Sequence, residues 1–259
     1  MPNVLILHGN GGSRTRFVPM LKQLIAQHPE LDLRIPRLSG FDGRPIPKKA
    51  DHWSLFMAEL EAAVKDKIDE PWVLYGHGIG GSILLELAAR DFCFPSGERL
   101  AVSHTILHAP IGATLKLRKF PALMKPPIMR ELGKWLLTRK MLRPLWEKRL
   151  FQSPQEIPAY LREQFFRDYT LCDAFGVFFD IITTAWYEGI RAKVSQKPFH
   201  FVWGEEERVI NVGFVEHWRK DFPQSQFEIV PKWDHFPMLE QVDEFTAHFL
   251  RWTQSETLA

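Results

Sequence analysis

A histidine and a group of carboxylates near the C-terminus have the residue types and the placement for general acid–base chemistry. Glu205, Glu206 and Glu207 directly follow an apolar run at residues 199–203, and His235 follows the next run at residues 227–230. Short apolar runs are typical of strands buried in a parallel sheet, whose carboxyl ends meet at one edge. A carboxylate at that edge can orient an imidazole and stabilise its protonated form, so the histidine can act as a general base. The residues alone leave open which of the three glutamates is the acid.

A glycine-rich turn at residues 76–81, between an apolar run and a helical pattern, is the second candidate. Its spacing is that of a nucleophile elbow, G-x-S-x-G, with Gly76 and Gly80 as flanking glycines and Gly78 at the tip. Such a sharp turn needs small residues because the strand and helix backbones pass close together. Gly78 suits the strained turn but supplies no nucleophile, which excludes covalent acyl transfer by the usual route. Ser82, one helical turn later, and Ser13 are weak replacements.

Alternating strand and helix patterns predict the elements that position these residues. Strands are predicted at residues 4–8, 31–35, 72–75, 102–108, 199–203 and 227–230, and helices at residues 16–27, 52–67, 80–90, 213–221 and 240–252. This order predicts an α/β fold with a mostly parallel central sheet flanked by helices. Residues 112–191 have only helical spacing, interrupted by prolines. We therefore predict a core of residues 1–111 and 192–259, and a helical cap (lid) insertion at residues 112–191, the cap segment.

Composition excludes several classes of protein and locates one charged region. The 259 residues are 45% hydrophobic and include two cysteines, which excludes a disordered chain and a disulfide framework. The net charge of +2 argues against a nucleic-acid binder. Residues 113–149, however, contain eleven Lys and Arg against two Glu, whereas the rest of the chain has 22 against 29 acidic residues. This basic, amphipathic segment can settle on an anionic membrane surface or attract an acidic partner, although an ordinary cap with solvated charges is the favoured interpretation.

Targeting and cofactor signals are lacking in the sequence. The chain starts with Met1, Pro2 and Asn3 and shows no secretory signal, and the apolar stretch at residues 175–186 is short for a membrane span. We therefore expect a soluble, cytoplasmic protein. No metal cluster or phosphate loop predicts a cofactor. Residues 76–81 superficially match a dinucleotide-binding turn, but no acidic residue ends the following strand near Leu107, so this alternative ranks low.

Five segments in order along nearly the whole chain resemble the α/β-hydrolase superfamily. Residues 8–13, His-Gly-Asn-Gly-Gly-Ser, look like its H-G-x-G oxyanion loop, and residues 37–43 look like a degraded D-x-P-G-x-G-x-S loop. Residues 73–81 match the elbow apart from its serine. Residues 202–207 are similar to the W-G-x-x-D segment that supplies the acid, and residues 233–240 closely match the G-H-F-P-x-x-E segment that supplies the histidine.

The resemblance implies a role for particular residues of this chain. It favours Glu207 as the acid that orients a catalytic His235, and it assigns Gly78 to the nucleophile position. The implied oxyanion hole consists of the backbone N–H groups of Asn10 and Ile79, and the implied substrate contacts are Gly9, His77 and Phe236. His8 is expected to brace the oxyanion loop.

Three hypotheses about function remain open. The first is a hydrolase that acts on a hydrophobic ester, thioester or other carbonyl substrate through a His–Glu base without a serine. Epoxide and haloalkane chemistry would need an aspartate at the tip of the elbow, where Gly78 stands. The second is a catalytically inactive binding protein for a small hydrophobic molecule or a protein partner. The third is an engineered Ser-to-Gly variant of an ordinary serine hydrolase.

Overall fold

Six short strands form one sheet at the centre of the computed structural model, which describes residues 3–254. They are β1 Asn3–Leu7, β2 Asp32–Arg34, β3 Trp72–His77, β4 Val102–His108, β5 His200–Gly204 and β6 Gln226–Val230. The order is β2-β1-β3-β4-β5-β6, and every neighbouring pair is parallel. The predicted α/β fold is confirmed. Each predicted strand is present, with its ends shifted by at most two residues.

The sheet is buried on both faces. Along β1, Leu5 and Leu7 belong to one apolar core, whereas Val4 and Ile6 belong to the core on the opposite face. This division follows from the strand geometry, in which successive side chains point to opposite sides. Because both faces are covered at the centre of the sheet, β1 and β3 are fully buried and mainly apolar, whereas the edge strands β2 and β6 are partly exposed and carry charged residues.

Twelve α-helices accompany the sheet in the described residues 3–254. They are α1 Val18–Gln27, α2 His52–Val64, α3 Ile79–Ala89, α4 Lys119–Leu123, α5 Pro127–Thr138, α6 Arg143–Leu150, α7 Ala159–Thr170, α8 Phe178–Ile181, α9 Thr184–Val194, α10 Val215–Asp221, α11 Pro237–Glu240 and α12 Val242–Gln254. The helix predicted at residues 240–252 corresponds to α12, which starts two residues later, and the backbone at Gln241 separates it from the short α11 that precedes it. The helix predicted at residues 16–27 starts as a 3₁₀ turn, and Pro19 then lies in the first turn of α1, where proline is tolerated.

The strand order places a crevice next to β1. The chain passes from β1 to β2 on one side, whereas β3 pairs with the other side of β1. In open α/β sheets, ligands bind outside the carboxyl ends of the strands at such a reversal. The loop that follows β1 and the turn that follows β3 therefore lie on either side of a natural binding crevice.

The cap segment supplies α4 to α9 between β4 and β5, and it contains no strand among its residues, all of which the structure describes. Arg130 ties this segment together: its guanidinium donates to the carbonyl oxygens of Met124 (2.6 Å) and Lys125 (2.9 Å) and to the Asp180 carboxylate (2.6 Å). No helix within residues 3–254 is both long and apolar enough to cross a bilayer.

Candidate active site

The turn between β3 and α3 is built from glycines because the backbones touch there. A Cβ atom on Gly76 would lie 2.6 Å from the carbonyl carbon of Gly80, and one on Gly80 would lie 2.5 Å from the carbonyl oxygen of Leu7. Both contacts are too short for any side chain. Gly78 at the tip has φ +58° and ψ −118°, a region that L-amino acids enter only at a cost in strain.

Space is nevertheless available above Gly78. The nearest heavy atom to a Cβ built on Gly78 is the Cα atom of Gly9 at 3.6 Å, which is an ordinary van der Waals distance. Ile79, the next residue, begins α3, and its N–H group has no carbonyl partner within the helix. The tip therefore combines a strained backbone, an unfilled side-chain position and a backbone donor.

His235 and Glu207 form a buried hydrogen-bonded pair at the carboxyl edge of the sheet. The Nδ1 atom of His235 lies 2.7 Å from Oε2 of Glu207, and the Oε1 atom of Glu207 accepts hydrogen bonds from the backbone N–H groups of Val209 (2.7 Å) and Ile210 (2.8 Å). Both side chains are buried, whereas Glu205 and Glu206 are exposed. A carboxylate that accepts from Nδ1–H leaves the lone pair of the neutral imidazole on Nε2, which is the atom a general base uses.

Two further residues hold the loop that carries His235, and the sequence did not predict that Asp234 is one of them. Oδ1 of Asp234 accepts from the backbone N–H groups of His235 (2.8 Å) and Arg208 (3.0 Å), so it joins the histidine loop to the glutamate loop. Nε2 of His77 lies 2.9 Å from the carbonyl oxygen of His235 and donates to it. The position of Asp234 beside His235 was the only sequence signal.

The expected contact between His77 and substrate is not found. The His77 side chain is fully buried beneath the turn and is not part of the pocket wall. Burial lowers the pKa of His77 well below its usual range, with the neighbouring His235 as a further cause. Burial also lowers the pKa of His108 to about 3 and that of His8 to about 4. These histidines are therefore neutral structural groups at physiological pH.

Hydrogen bonds from Arg16 and to the cap segment fix the loop that follows β1. The guanidinium of Arg16 donates to the carbonyl oxygen of Asn10 (3.3 Å), and the Asn10 amide donates to the carbonyl oxygen of Phe175 in the cap segment (3.3 Å). Ser13 donates to the buried carboxylate of Asp168 (2.7 Å), and Ser82 donates to the carbonyl oxygen of Ile111 (2.8 Å). Neither serine reaches the pocket wall, because each is committed to a structural hydrogen bond.

A pocket of about 560 Å³ lies over Gly78 and His235, between the sheet edge and the cap segment. Gly9, Asn10, Ile79 and Phe236 line it as the sequence predicts for the site, and apolar side chains of the cap segment supply most of the remaining wall. The polar side chains in the wall are Asn10, Tyr169, His235 and four arginines: Arg16, Arg118, Arg149 and Arg208. No Ser, Thr, Cys, Asp or Glu is among the lining residues in the described part of the chain.

Comparison with known proteins gives a consistent result. A family model described as the alpha/beta hydrolase family matches residues 4–248. Lipase 1 of Psychrobacter immobilis is 27% identical over 252 residues, which are 93% of this chain and 73% of that protein.

Solved structures resemble the chain over almost its full length. MenH from S. aureus superposes with a TM-score of 0.70 at 17% identity, covering 98% of this chain and 94% of the other. A bromoperoxidase from Bacillus anthracis superposes with a TM-score of 0.71 at 15% identity, covering 98% and 92%. At these identities the superpositions establish the fold alone.

Proposed function

The chain belongs to the α/β-hydrolase family, and on that basis we propose that it hydrolyses a hydrophobic ester or thioester with His235 as the general base and without a serine nucleophile. The observation that carries this proposal is the His235–Glu207 pair, joined at 2.7 Å, with His235 in the wall of a largely apolar pocket that is lined by no Ser, Thr, Cys, Asp or Glu in the described residues. The 27% identical protein from Psychrobacter immobilis is named a lipase, which supports an ester as substrate.

In the proposed reaction, water attacks the carbonyl carbon directly. Nε2 of His235 takes a proton from the water as its oxygen forms a bond to the carbonyl carbon. The resulting imidazolium, stabilised by Glu207, then gives that proton to the departing alcohol or thiol as the carbon–oxygen or carbon–sulfur bond breaks. The products are one carboxylic acid and one alcohol or thiol, and no redox partner is needed. General-base assistance of this kind contributes about 10²–10⁴-fold in rate.

Gly78, in this proposal, stands at the nucleophile position and leaves room for the attacking water. The nearest backbone atom to a Cβ at that position is 3.6 Å away, so a small volume opens where a side chain would otherwise lie. The backbone N–H groups of Asn10 and Ile79 serve as the oxyanion hole, and both residues belong to the pocket wall. The cap segment covers the pocket and limits access of bulk water.

A second candidate function is a binding protein without catalytic activity, and one observation favours it. Most of the pocket wall is apolar, and the position from which a covalent nucleophile would act is occupied by Gly78. A pocket of this kind can hold a hydrophobic ligand without chemistry. The third possibility, a serine replaced by engineering, gives the same geometry and is addressed by restoring the serine, as described in the Discussion.

Hydrolysis of p-nitrophenyl octanoate distinguishes the first two functions. We expect the wild-type protein to release p-nitrophenol faster than H235A, by about 10²-fold or more, with H217A as a matched control because His217 is exposed and remote from the pocket wall. Circular dichroism checks that both variants are folded. Equal rates for wild type and H235A would refute catalysis by His235, and a hydrophobic ligand found by native mass spectrometry would then favour the binding function.

A further inference from the structure

The pocket wall contains an arginine group that the proposed hydrolysis does not use. Arg208 pairs with the Asp234 carboxylate through a hydrogen bond from Nε (2.7 Å). Within residues 3–254, Arg16, Arg118 and Arg149 form no ion pair with a carboxylate. Four arginine residues thus line a pocket whose lining, within the described residues, includes no Asp or Glu.

Two of these arginines meet at the loop that follows Glu207. The guanidinium of Arg118 donates to the carbonyl oxygen of Val209 (3.1 Å), and that of Arg149 donates to the carbonyl oxygen of Arg208 (3.3 Å). Both contacts use one guanidinium nitrogen of each side chain, and a guanidinium has five N–H donors. The remaining donors are free to bind a ligand in the pocket beside His235.

Arg16 is buried and Arg118 is partly buried, and taking a cation out of water without an ion-pair partner is unfavourable. Arg16 is 2% exposed, its Nε atom has no hydrogen-bond partner, and its charge rests on the aromatic rings of Phe165 and Phe236 at 4.7 Å and 5.0 Å. Burial also lowers the pKa of the Arg118 guanidinium, although the nearby Glu207 charge opposes this. An anion bound beside Arg118 would offset the cost at that guanidinium, because charge-assisted bidentate hydrogen bonds are strong in a desolvated site.

We infer that the pocket takes an amphipathic anion, whose apolar chain lies along the cap segment and whose carboxylate or phosphate group binds between Arg118 and Arg149. This inference rests on the proposed function in that it names the substrate class of the same pocket. The ester or thioester to be hydrolysed would then carry an acidic group on the side of the scissile carbonyl that faces the loop at Arg208 and Val209.

Isothermal titration with non-hydrolysable probes tests this inference directly. Octyl phosphate and octanoate share an eight-carbon chain with neutral octanol, and inorganic phosphate supplies the head group alone. We expect both amphipathic anions to bind at least tenfold more tightly than octanol, and also than inorganic phosphate. We expect R118Q to weaken anion binding by about 10–100-fold, the range for a lost hydrogen bond to a charged group, and to leave octanol binding unchanged.

R139Q is the matched control, because Arg139 lies in the same segment over the ring of Trp135 and outside the pocket wall. Octanol binding as tightly as octyl phosphate would overturn the inference. Equal binding of inorganic phosphate and octyl phosphate would also overturn it, as would equal losses in R118Q and R139Q. Since binding is measured without turnover, anion-selective binding by a protein that hydrolyses no ester would refute the proposed function and leave this inference standing.

A separate observation concerns the outer surface of the cap segment. Eight of its large apolar side chains are exposed: Leu117, Phe120, Leu123, Ile128, Leu132, Trp135, Met141 and Leu145. We call these eight residues the apolar patch. Two of them, Phe120 and Leu123, also line the pocket, so part of the patch borders the pocket. The stretch 113–149 around it has nine more positive than negative side chains.

We propose that the apolar patch docks onto the surface of an anionic lipid bilayer, with its apolar side chains among the acyl chains and its lysines and arginines at the head groups. Charge complementarity selects this partner: amphipathic surfaces rich in Lys and Arg bind anionic lipid through apolar burial and electrostatic attraction together. Docking in this orientation would bring the side of the pocket that the patch borders to the membrane.

Co-sedimentation with vesicles tests the docking proposal. We expect the protein to pellet with phosphatidylcholine vesicles that contain 30% phosphatidylglycerol, and to pellet several-fold less with pure phosphatidylcholine or in 0.5 M salt, as charge screening requires. The double variant I128S/M141S should lose binding, whereas I25S should keep it, because Ile25 is exposed at 63% on α1, outside the patch. Equal vesicle binding by I128S/M141S and I25S would overturn the proposal. A dimer of the unmodified protein that I128S/M141S converts to monomers would also overturn it, because the patch would then be a protein interface.

Discussion

Restoring a hydroxyl at the tip of the β3–α3 turn tests the geometry assigned to Gly78. The substitution G78S adds a Cβ whose nearest heavy-atom contact is 3.6 Å, so no steric clash is expected. The backbone at φ +58° strains any L-residue, which costs about 1–3 kcal/mol. Melting temperatures of domains this large fall by about 2–4 °C for each kcal/mol. The variant should therefore fold with a modestly lower melting temperature.

The chemical gain in G78S should be much larger than the loss in stability. A serine at residue 78 would lie in the same pocket as His235, and the side chain would replace an unbound water as the attacking group. Removing the serine from the well-studied protease subtilisin lowers kcat about 10⁶-fold. We expect G78S to hydrolyse p-nitrophenyl octanoate at least about 10²-fold faster than the wild-type protein and to react stoichiometrically with a fluorophosphonate probe.

G78A is the control for this experiment, since it has the same backbone strain and the same added Cβ but no hydroxyl group. Its melting temperature should match that of G78S, and it should remain unlabelled. A folded G78S that is unlabelled and no faster than G78A would show that residue 78 is not poised against His235. That result would refute the geometric reasoning about the turn.

Three other predictions concern the buried charges around the site. E207Q should lower kcat by about 10²-fold or more and lower the free energy of unfolding by about 1–3 kcal/mol. The Glu207 carboxylate accepts from three donors, His235, Val209 and Ile210, whereas an amide must turn its NH₂ toward at least one of them. Rate measurements and urea unfolding check both numbers, and unchanged values would contradict the assigned role. D234A should slow hydrolysis because it removes the oxygen that accepts from the N–H groups of both His235 and Arg208, which should raise the mobility of His235 in NMR relaxation, and a rigid His235 would contradict it. Acidification should destabilise the fold, because the folded-state pKa values of His8 and His108, about 4 and 3, lie below the unfolded value near 6.5. Between pH 7.5 and pH 5 each histidine binds a proton in the unfolded state but stays neutral in the folded state. The free energy of unfolding therefore falls by about 2 kcal/mol per histidine over this range. Glu240 acts in the opposite direction, since burial raises its pKa to about 7 and the folded state is then the one that takes up the proton, giving back about 2 kcal/mol. Urea unfolding at the two pH values measures the net loss, and a free energy that does not change with pH would contradict the neutral, buried state of these histidines.

The sequence predicted the sheet well because the strands are buried on both faces. Every residue of β1 is buried, so its apolar run needed no knowledge of its neighbours. Helix ends were predicted less well, because they depend on single backbone positions. The backbone at Gln241, for instance, leaves the helical region, so α12 begins at Val242 rather than at the predicted residue 240.

The order of motifs predicted which segments meet at the site, but single-sequence reasoning did not predict how side chains are divided between pocket and interior. Glu205, Glu206 and Glu207 are identical in type, and only Glu207 is directed inward, where Val209 and Ile210 donate to its carboxylate. His77 looked like a pocket residue because of its place beside the tip of the turn. It lies instead beneath that turn, where the carbonyl of His235 accepts its hydrogen bond.

The sequence also did not predict that four arginines line the pocket. Arg118 and Arg208 are 90 positions apart, and the arginines of residues 113–149 were predicted only as part of a basic surface. Their convergence depends on how the cap segment packs over the loop after β5, and no local pattern encodes that packing. The charge of residues 113–149 therefore identified the basic segment, but it did not show that Arg118 and Arg149 line the pocket.

Quenched-flow mass spectrometry during ester hydrolysis tests the central claim most directly. Wild-type protein and H235A are mixed with p-nitrophenyl octanoate and quenched with acid at intervals, and both the released p-nitrophenol and the intact protein mass are measured. We predict that wild type releases p-nitrophenol well above the rate of H235A while its mass stays unchanged throughout, as expected when water attacks the carbonyl directly. Equal release by the two proteins, or an octanoyl group attached to the wild-type protein during turnover, would contradict the account.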